Sequence, residues 1–575
     1  MKRLTLAVAL LLCLVLCVFA FASCNKDKKK GQTTTEKQDE TPSVTESKWP
    51  GIGKEVSAFA EEDRKIRIQY DMSTNNNEKV ATNDKYIQGP DGISNETAKI
   101  DQKVYHRNKD ARELLGLTIE YDYWNGPDVT WGKQASKIRE LVEANDATAP
   151  DLFIDMLYDL NNAMMSLGVF KDVKSLPGSY FDFSADGWMK EWMDSLSFTG
   201  DRAYILGSDY FIDILRAMGV LPFNMDLMDA NASKLAPALF NESLAAGETM
   251  SQRILDLVED EKWTWDALGK LCEAVHVDRG TVGQNDFDDV LGILVDSYSG
   301  LQSSLIVYST GVPLIEVAPI EDPSSEYNGK NWANYYPDSS LLGDIFDAVS
   351  GVFKGNGAFV TSFTPDSGKG FADHYAKFAE NTLLFAGPAV LAALEDDEFQ
   401  QMEYTWSVVP LPKTSVDKEY NTMIHNIADA GAINVRTTAG KARALSAYLQ
   451  YCTEYSADIK EEFLQTVTKY KTTTYNQGTD RMLDLIYDHV ITGRDKALED
   501  AAEKTSGKTS SAWMKEQKFV GDSSFVVTAY QSYLSEKQAK LDDVYKKWYT
   551  LPTAATEGDM EWAEPEPADA SAQQQ

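Results

Sequence analysis

The chain has 575 residues, 55 of them Lys or Arg and 89 Asp or Glu, for a formal net charge of −34. Such a surface repels nucleic acid and anionic lipid, so nucleic-acid binding is excluded. Aromatic residues make up 11% of the sequence, with 12 Trp and 27 Tyr, which calls for a large core or a surface that stacks on a ligand.

At the N-terminus, Lys2 and Arg3 precede an almost wholly apolar run over residues 4–22, followed by Ser23 and Cys24. Charge, then apolar run, then small residues is the order of a secretory signal. An uncleaved membrane span is the alternative, since about 20 apolar residues cross a bilayer. Against it, the run stops at a cysteine preceded by small residues, and a polar stretch follows at once. Phe21, Ala22, Ser23 and Cys24 resemble a bacterial lipobox, with Phe21 where Leu is usual. The resemblance implies removal of residues 1–23, lipid on Cys24, and a cell-membrane location on the extracellular face. A diacylated cysteine supplies the two chains that stable anchoring needs.

Residues 24–62 are rich in Lys, Thr, Glu, Gln and Ser and read as a tether reaching roughly 35 Å. Residues 553–575, rich in Ala, Glu, Pro and Gln, read as a disordered tail. Beyond the signal and Cys24 only Cys272 and Cys452 remain, both in apolar helical patterns that favour buried free thiols over a disulfide. No CxxC pair occurs, and the five histidines are scattered, so neither a zinc site nor a cofactor is expected.

Folded structure is expected to begin at residues 65–70, which alternate polar and apolar as a strand does. A helical period follows over 96–115, closed by Gly116 as a C-cap. Residues 117–123 alternate again, 133–144 form a helix, and 150–155 a more buried strand. Strand, helix, strand, helix, strand is the pattern of a parallel sheet with crossover helices. Ligands of such sheets sit beyond the carboxyl ends of the strands.

Several further segments, in order, resemble the extracellular solute-binding proteins of ABC importers, in particular the large sugar-binding family 1 branch. They are Leu114 to Glu120, Ala149 to Phe153, Gly168 to Phe170 with Leu176 and Pro177, Pro222 to Leu227, Trp263 to Leu268, Tyr404 to Lys413 and Ala430 to Asn434 before an Ala-rich helix. The stretch 202–221 lacks the family's usual proline, and the regions around Trp332 and over 496–519 read as insertions.

The resemblance implies an α/β, two-lobed periplasmic-binding-protein-like fold of type II, each lobe a mainly parallel sheet flanked by helices. Lobe 1 would comprise 63–177 plus 412–452, and lobe 2 178–411 plus 453–552. Crossings are expected near Pro177, near Pro410 to Lys413 and after Tyr451. Relatives hold sugars with aromatic faces and with carboxylates or amides that bind the hydroxyls.

Candidate ligand contacts are Asp71, Trp124 and Asn125 at strand ends and Tyr158 and Asp159 after the third strand. Asp209, Tyr210, Arg216 and Trp332 are expected from the second lobe. Each has a bland alternative: a turn-capping Asp71, a core Trp124, an Arg216 in an ordinary ion pair, and a Trp332 that packs on its own insertion. Trp406 reads as core. The expected function is capture of a carbohydrate, an oligosaccharide by preference, without chemistry, by a monomer that hands it to an ABC permease. The alternatives are a secreted glycan-processing enzyme, for which Asp288-Asp289 or Asp396-Asp397 could supply acid and base, and an adhesin or sensor module.

Overall fold

The structure, a computed structural model, describes residues 59–71, 84–124, 132–144, 148–297, 299–310, 312–336, 338–361, 371–469, 477–490, 494–502 and 509–551. The signal segment, Cys24, the tether up to residue 58, Asn125 and the tail lie outside them.

Two sheets organise the chain. The first contains β1 (Lys65–Asp71), β2 (Thr118–Trp124), β3 (Leu152–Met156) and the late strand β12 (Asp429–Ile433), in the order β12-β3-β1-β2. β1 runs parallel to β2 and β3, while β12 is antiparallel to β3. Every residue of β3 and β12 is buried, as expected of strands covered on both faces. The crossover helices are α1 (Lys99–Leu115) and α2 (Gln134–Glu143), and α3 (Leu157–Leu167) leaves β3 directly. α1 buries Ile100, Val104, Ala111 and Leu115, and Gly116 ends it at φ 63° with its N–H donated to the Arg112 carbonyl.

The second sheet has the order β10-β4-β9-β5-β8, with β11 also on β4. Its strands are β4 (Gly219–Asn224), β5 (Leu291–Asp296), β8 (Ala358–Thr361), β9 (Leu383–Phe385), β10 (Ala389–Val390) and β11 (Trp406–Val409). Parallel pairing is confined to β9-β5-β8. β4 is antiparallel to β9, β10 and β11, so this sheet is mixed rather than mainly parallel. Trp406 is core, at 2% exposure.

The remaining helices needed below are α4 (Ile212–Arg216), α5 (Gly300–Tyr308), α6 (Ala439–Glu454), α7 (Ala457–Lys469), α8 (Arg494–Ala502) and α9 (Ser523–Thr550). The two stretches that read as insertions come together on α9. The hairpin of β6 (Ile315–Pro319) and β7 (Asn331–Tyr335) packs against α9, as does α8.

The chain passes between the sheets later than the sequence suggests. After Pro177 it stays on the first sheet, where the Tyr180 and Asp182 N–H groups donate to Ser446 and Gln450 of α6 and Leu206 bridges Gly431 of β12. This covers the free edge of β12, whose unpaired backbone groups would otherwise need water. The crossing falls where Met218 bridges Ile424, just before β4. The return also falls late, because Lys413 is still bridged to Thr264. α7 stays with the first sheet through Lys103–Glu462 and Arg107–Ser456, and the helix Gln477–Asp488 is the next element on β11. Cys272 and Cys452 are both buried free thiols, as expected.

Candidate functional site

The carboxyl ends of β1 and β3 carry Asp71 and Asp155. The parallel register pairs Tyr70 with Ile154, so the two aspartates follow on neighbouring strands and share one sheet face. Both are wholly buried. Asp71 Oδ2 accepts from Gln134 Nε2 at 2.5 Å. Burial, opposed by that hydrogen bond and reinforced by Asp213 and Asp159, pushes its carboxyl up to about 7. Asp155 Oδ1 accepts the Met156 N–H at 2.8 Å, and its Oδ2 has no partner among the described residues. Burial, then the neighbouring Asp71 and Asp159, holds its carboxyl well above the usual range.

Asp159, in the first turn of α3, accepts the Gly132 and Ala135 N–H groups at 3.1 Å each and so closes the start of α2. Tyr158, half-buried beside it, donates its backbone N–H to the Asn426 carbonyl at 3.0 Å. Trp124 is 5% exposed, with the Lys137 ammonium 3.7 Å from its ring centre and Phe153 against its edge. Its ring face is therefore already covered by a cation.

The crossing segment meets this cluster from the other side. Asp213 of α4 accepts the Asp429 N–H at 3.0 Å and the Arg216 guanidinium at 2.7 Å. Arg216 is 1% exposed and reaches Glu395, beyond β10, at 2.8 Å. The guanidinium is thus taken up by two carboxylates, the ion-pair alternative rather than a clamp open to a ligand. Asp209 is held by Lys460 at 2.8 Å and by the Tyr487 hydroxyl at 3.1 Å. Tyr210 lies under the Arg107 guanidinium, 4.7 Å from it, and against Tyr448. Tyr448 in turn meets Tyr121, which belongs to the sheet face opposite Asp71 and Asp155. Trp332 packs against Tyr327, Tyr545 and Tyr549 and donates its indole N–H to Asp542 of α9 at 2.8 Å. The structure therefore brings together Asp71, Trp124, Tyr158 and Asp159, and leaves Asp209, Tyr210 and Trp332 elsewhere.

It also adds groups that the sequence reading passed over. Residues 425–429 run beside 156–158, which sets His425 and Asn426 at the same edge. Asn426 Nδ2 donates to Asp500 of α8 at 2.6 Å, and Asp500 pairs with Lys496 at 2.5 Å. α8 packs on α3, which follows β3, and on α5, which follows β5, so it spans the ends of both sheets. Burial, with Lys496 nearby, pulls the His425 imidazole down to about 3, so it is neutral.

Among the described residues, buried acceptors without a partner gather here: Asp155 Oδ2, Gln134 Oε1, Asn161 Oδ1 and Asn426 Oδ1. The Gln134 amide nitrogen faces Asp71, and the Asn426 amide nitrogen faces Asp500, which also accepts from Lys496. The one signal in the sequence was Asp155 itself, a charge inside the apolar run Leu-Phe-Ile-Asp-Met.

No family model and no curated protein matches the chain. Solved structures do. The GacH receptor of Streptomyces glaucescens, determined unliganded and with acarbose, is 11% identical, with 84% of this chain and 98% of that one covered at a TM-score of 0.41. The galacto-N-biose/lacto-N-biose I-binding protein of an ABC transporter from Bifidobacterium longum is 14% identical, covering 84% and 97% at 0.40. A maltotriose-binding protein from Thermus thermophilus is 10% identical, covering 84% and 100% at 0.39.

Elsewhere, an open groove of about 390 Å³ lies between α1 and the α6–α7 corner, lined by Lys103, His106, Tyr451 and Tyr455 among others. It is on the side of the first sheet that carries Tyr210, away from the aspartates. No group of three or more His, Cys, Asp or Glu among the described residues is disposed to hold a metal ion, and no helix among them is long and apolar enough to cross a membrane. Asp289 accepts the backbone N–H groups of Arg279, Gly280 and Asp286. Against its burial, these and His276 hold its carboxyl down to about 2, which suits a loop staple and not a proton donor.

Proposed function

We propose that this chain is a substrate-capture receptor of an ABC importer, which binds a carbohydrate between two lobes and passes it to the membrane permease without chemistry. The observation that carries this reading is the set of buried acceptors at the carboxyl ends of β1 and β3, facing the crossing segment and α8. Buried polar groups that lack partners are costly, about 1–3 kcal/mol each, unless a ligand satisfies them. A ligand lined with hydroxyl donors meets that requirement. Each lobe is built on one of the two sheets, with 178–216 and 453–469 assigned to the first lobe in place of the boundaries the sequence suggested. Closure of the lobes around the ligand would be a hinge motion at Ala217 to Gly219 and its partner strand.

The proposal includes a lipid anchor on Cys24, an extracellular location and a monomeric state. Replacement Cys24→Ser should move the protein from the detergent phase to the aqueous phase in a Triton X-114 partition. Binding is tested by thermal shift of the mature protein against mono- and oligosaccharides, uronates and peptides. A raised melting temperature with one sugar class, without hydrolysis of the matching chromogenic glycoside, supports a receptor. A shift with peptides alone overturns the carbohydrate reading, and turnover of a glycoside overturns the absence of chemistry.

A further inference from the structure

Helix α9 has 28 residues, about 42 Å of length at 1.5 Å per residue, enough to reach from one lobe to the other. Its first half is fixed to the lobe of the second sheet. The Tyr530 hydroxyl donates to the Tyr336 carbonyl at 2.7 Å, and Gln531 Nε2 donates to Ser339 Oγ at 2.8 Å. The helix Ser340–Phe353 packs along α9 and in turn on the helix Trp265–Val275, which lies on β5.

The last turns of α9 are seated on the other lobe. The Tyr545 hydroxyl donates to the Phe198 carbonyl at 2.8 Å, and the Trp548 indole N–H donates to Thr199 Oγ1 at 2.7 Å. The Trp548 ring centre lies 4.8 Å from that of Phe198 and 5.3 Å from that of Tyr204. Arg202 donates to the Trp548 and Leu551 carbonyls at 3.2 and 2.9 Å, so the first lobe caps the end of the helix. The hairpin follows suit, with Asn331 Nδ2 on the Thr199 carbonyl at 2.9 Å. Residues 198–204 are themselves part of the first lobe. The Ala203 N–H donates to Asp172 and the Ala203 carbonyl accepts from Val173, while Leu206 bridges Gly431 of β12.

This seat has the quality of a core. Tyr545 and Trp548 are wholly buried, and Phe198 and Tyr204 nearly so. Lobes move freely by default unless a large apolar contact joins them, and here one does. Rotation about Ala217 to Gly219 that parts the sheets must draw Tyr545 and Trp548 out of their seat, or else tear Tyr530 and Gln531 from the second lobe. Either way aromatic surface meets water and hydrogen bonds are lost.

From these two anchorages, and resting on the receptor reading above, we infer that α9 is a strap that holds the lobes closed before any ligand arrives. The binding-competent form is then already the populated one, so affinity is not reduced by the cost of closing. Entry and exit both wait for the strap to lift, which makes exchange slow.

The test needs no ligand, so its outcome is separate from that of the receptor reading. A dye pair is attached at Glu113→Cys and Asp260→Cys, one exposed position on each lobe, in a Cys24→Ser background. Cys272 and Cys452 are buried and stay unlabelled. Single-molecule energy transfer on the ligand-free chain should show one narrow separation. Trp548→Ala should add a second population at longer separation. So should Tyr545→Phe combined with Arg202→Gln, which removes hydrogen bonds and leaves the aromatic packing in place. A strapped chain that already spends most of its time at the longer separation overturns the inference, as do identical distributions with the strap intact and altered. Both results leave the receptor reading standing, since thermal shift against saccharides decides that. If Trp548→Ala fails to fold, the hydrogen-bond variant and the unaltered strap still decide the matter.

Discussion

The Lys537 ammonium lies 2.7 Å from the Glu499 carboxylate, with 1% and 0% of the side chains exposed. This pair joins α9 to α8, which begins one of the two stretches that read as insertions. Ser510 adds its N–H and hydroxyl, and the Tyr308 hydroxyl also donates to Glu499. Burial alone would raise the Glu499 carboxyl, but Lys537 and these donors outweigh it and the carboxyl is lowered. Lys537→Met should therefore cost about 3–5 kcal/mol, because it strands a buried carboxylate. Glu499→Gln with Lys537→Met should recover much of that. Since the folded value is depressed, the contribution is present above the unfolded value and fades as pH falls through the folded one. Urea unfolding at pH 7 and pH 3.5 checks both statements, and equal losses in the single and double variants would contradict them.

Asp71 has the opposite sign. Its carboxyl is raised to about 7 in the folded protein, so the native state keeps a proton that the unfolded chain loses above about 4. Its protonated form supports stability fully below the unfolded value, and that support is lost as pH rises toward 7. Asp71→Asn should flatten the decline in melting temperature between pH 5 and pH 8. A variant with the same slope as the native chain would show that Asp71 ionises normally.

Arg216 ties Asp213 and Glu395 together across the crossing between the sheets. Arg216→Met should destabilise the protein by about 3–5 kcal/mol, more than a surface arginine would. If the crossing acts as the hinge, the same variant should also weaken saccharide binding, read by calorimetry. Native stability in this variant would mean the triad is replaceable by packing alone.

Asp159 closes the start of α2 through two backbone N–H groups. Asp159→Ala should cost about 0.5–2 kcal/mol in guanidinium unfolding, the range of a lost helix cap. Its effect on ligand affinity should be smaller than that of Asp155→Asn, because both Asp159 oxygens already have partners within the protein.

The local elements of the first sheet were legible in the sequence. Ile66, Ile68 and Tyr70 alternate with polar residues and became β1, and Gly116 stopped α1 where a left-handed residue was needed. These are short-range signals, set by side-chain periodicity and backbone sterics. Candidates near strand ends, such as Asp71, fell where the parallel-sheet pattern placed them. For Arg216 and Tyr210 the sequence left the choice open, because their partners lie far along the chain: Glu395 for the one, Arg107 and Tyr448 for the other. The crossing expected near Pro177 depends on a similarly distant partner. The free edge of β12 holds residues 178–206, and β12 is more than 200 positions away.

By itself the sequence determined the acidic surface, the signal-like start with Cys24, the α/β alternation and the presence of buried thiols. All of these follow from composition or from spacings of a few residues. Only the tertiary structure decided that Asp155, Gln134, Asn161 and Asn426 form one edge, that Arg216 is spent on internal carboxylates, and that α8 spans the ends of both sheets. The reason is physical. Charge and hydrogen-bond capacity are satisfied in space, by whichever groups the fold carries within about 3 Å, and sequence distance does not enter that count.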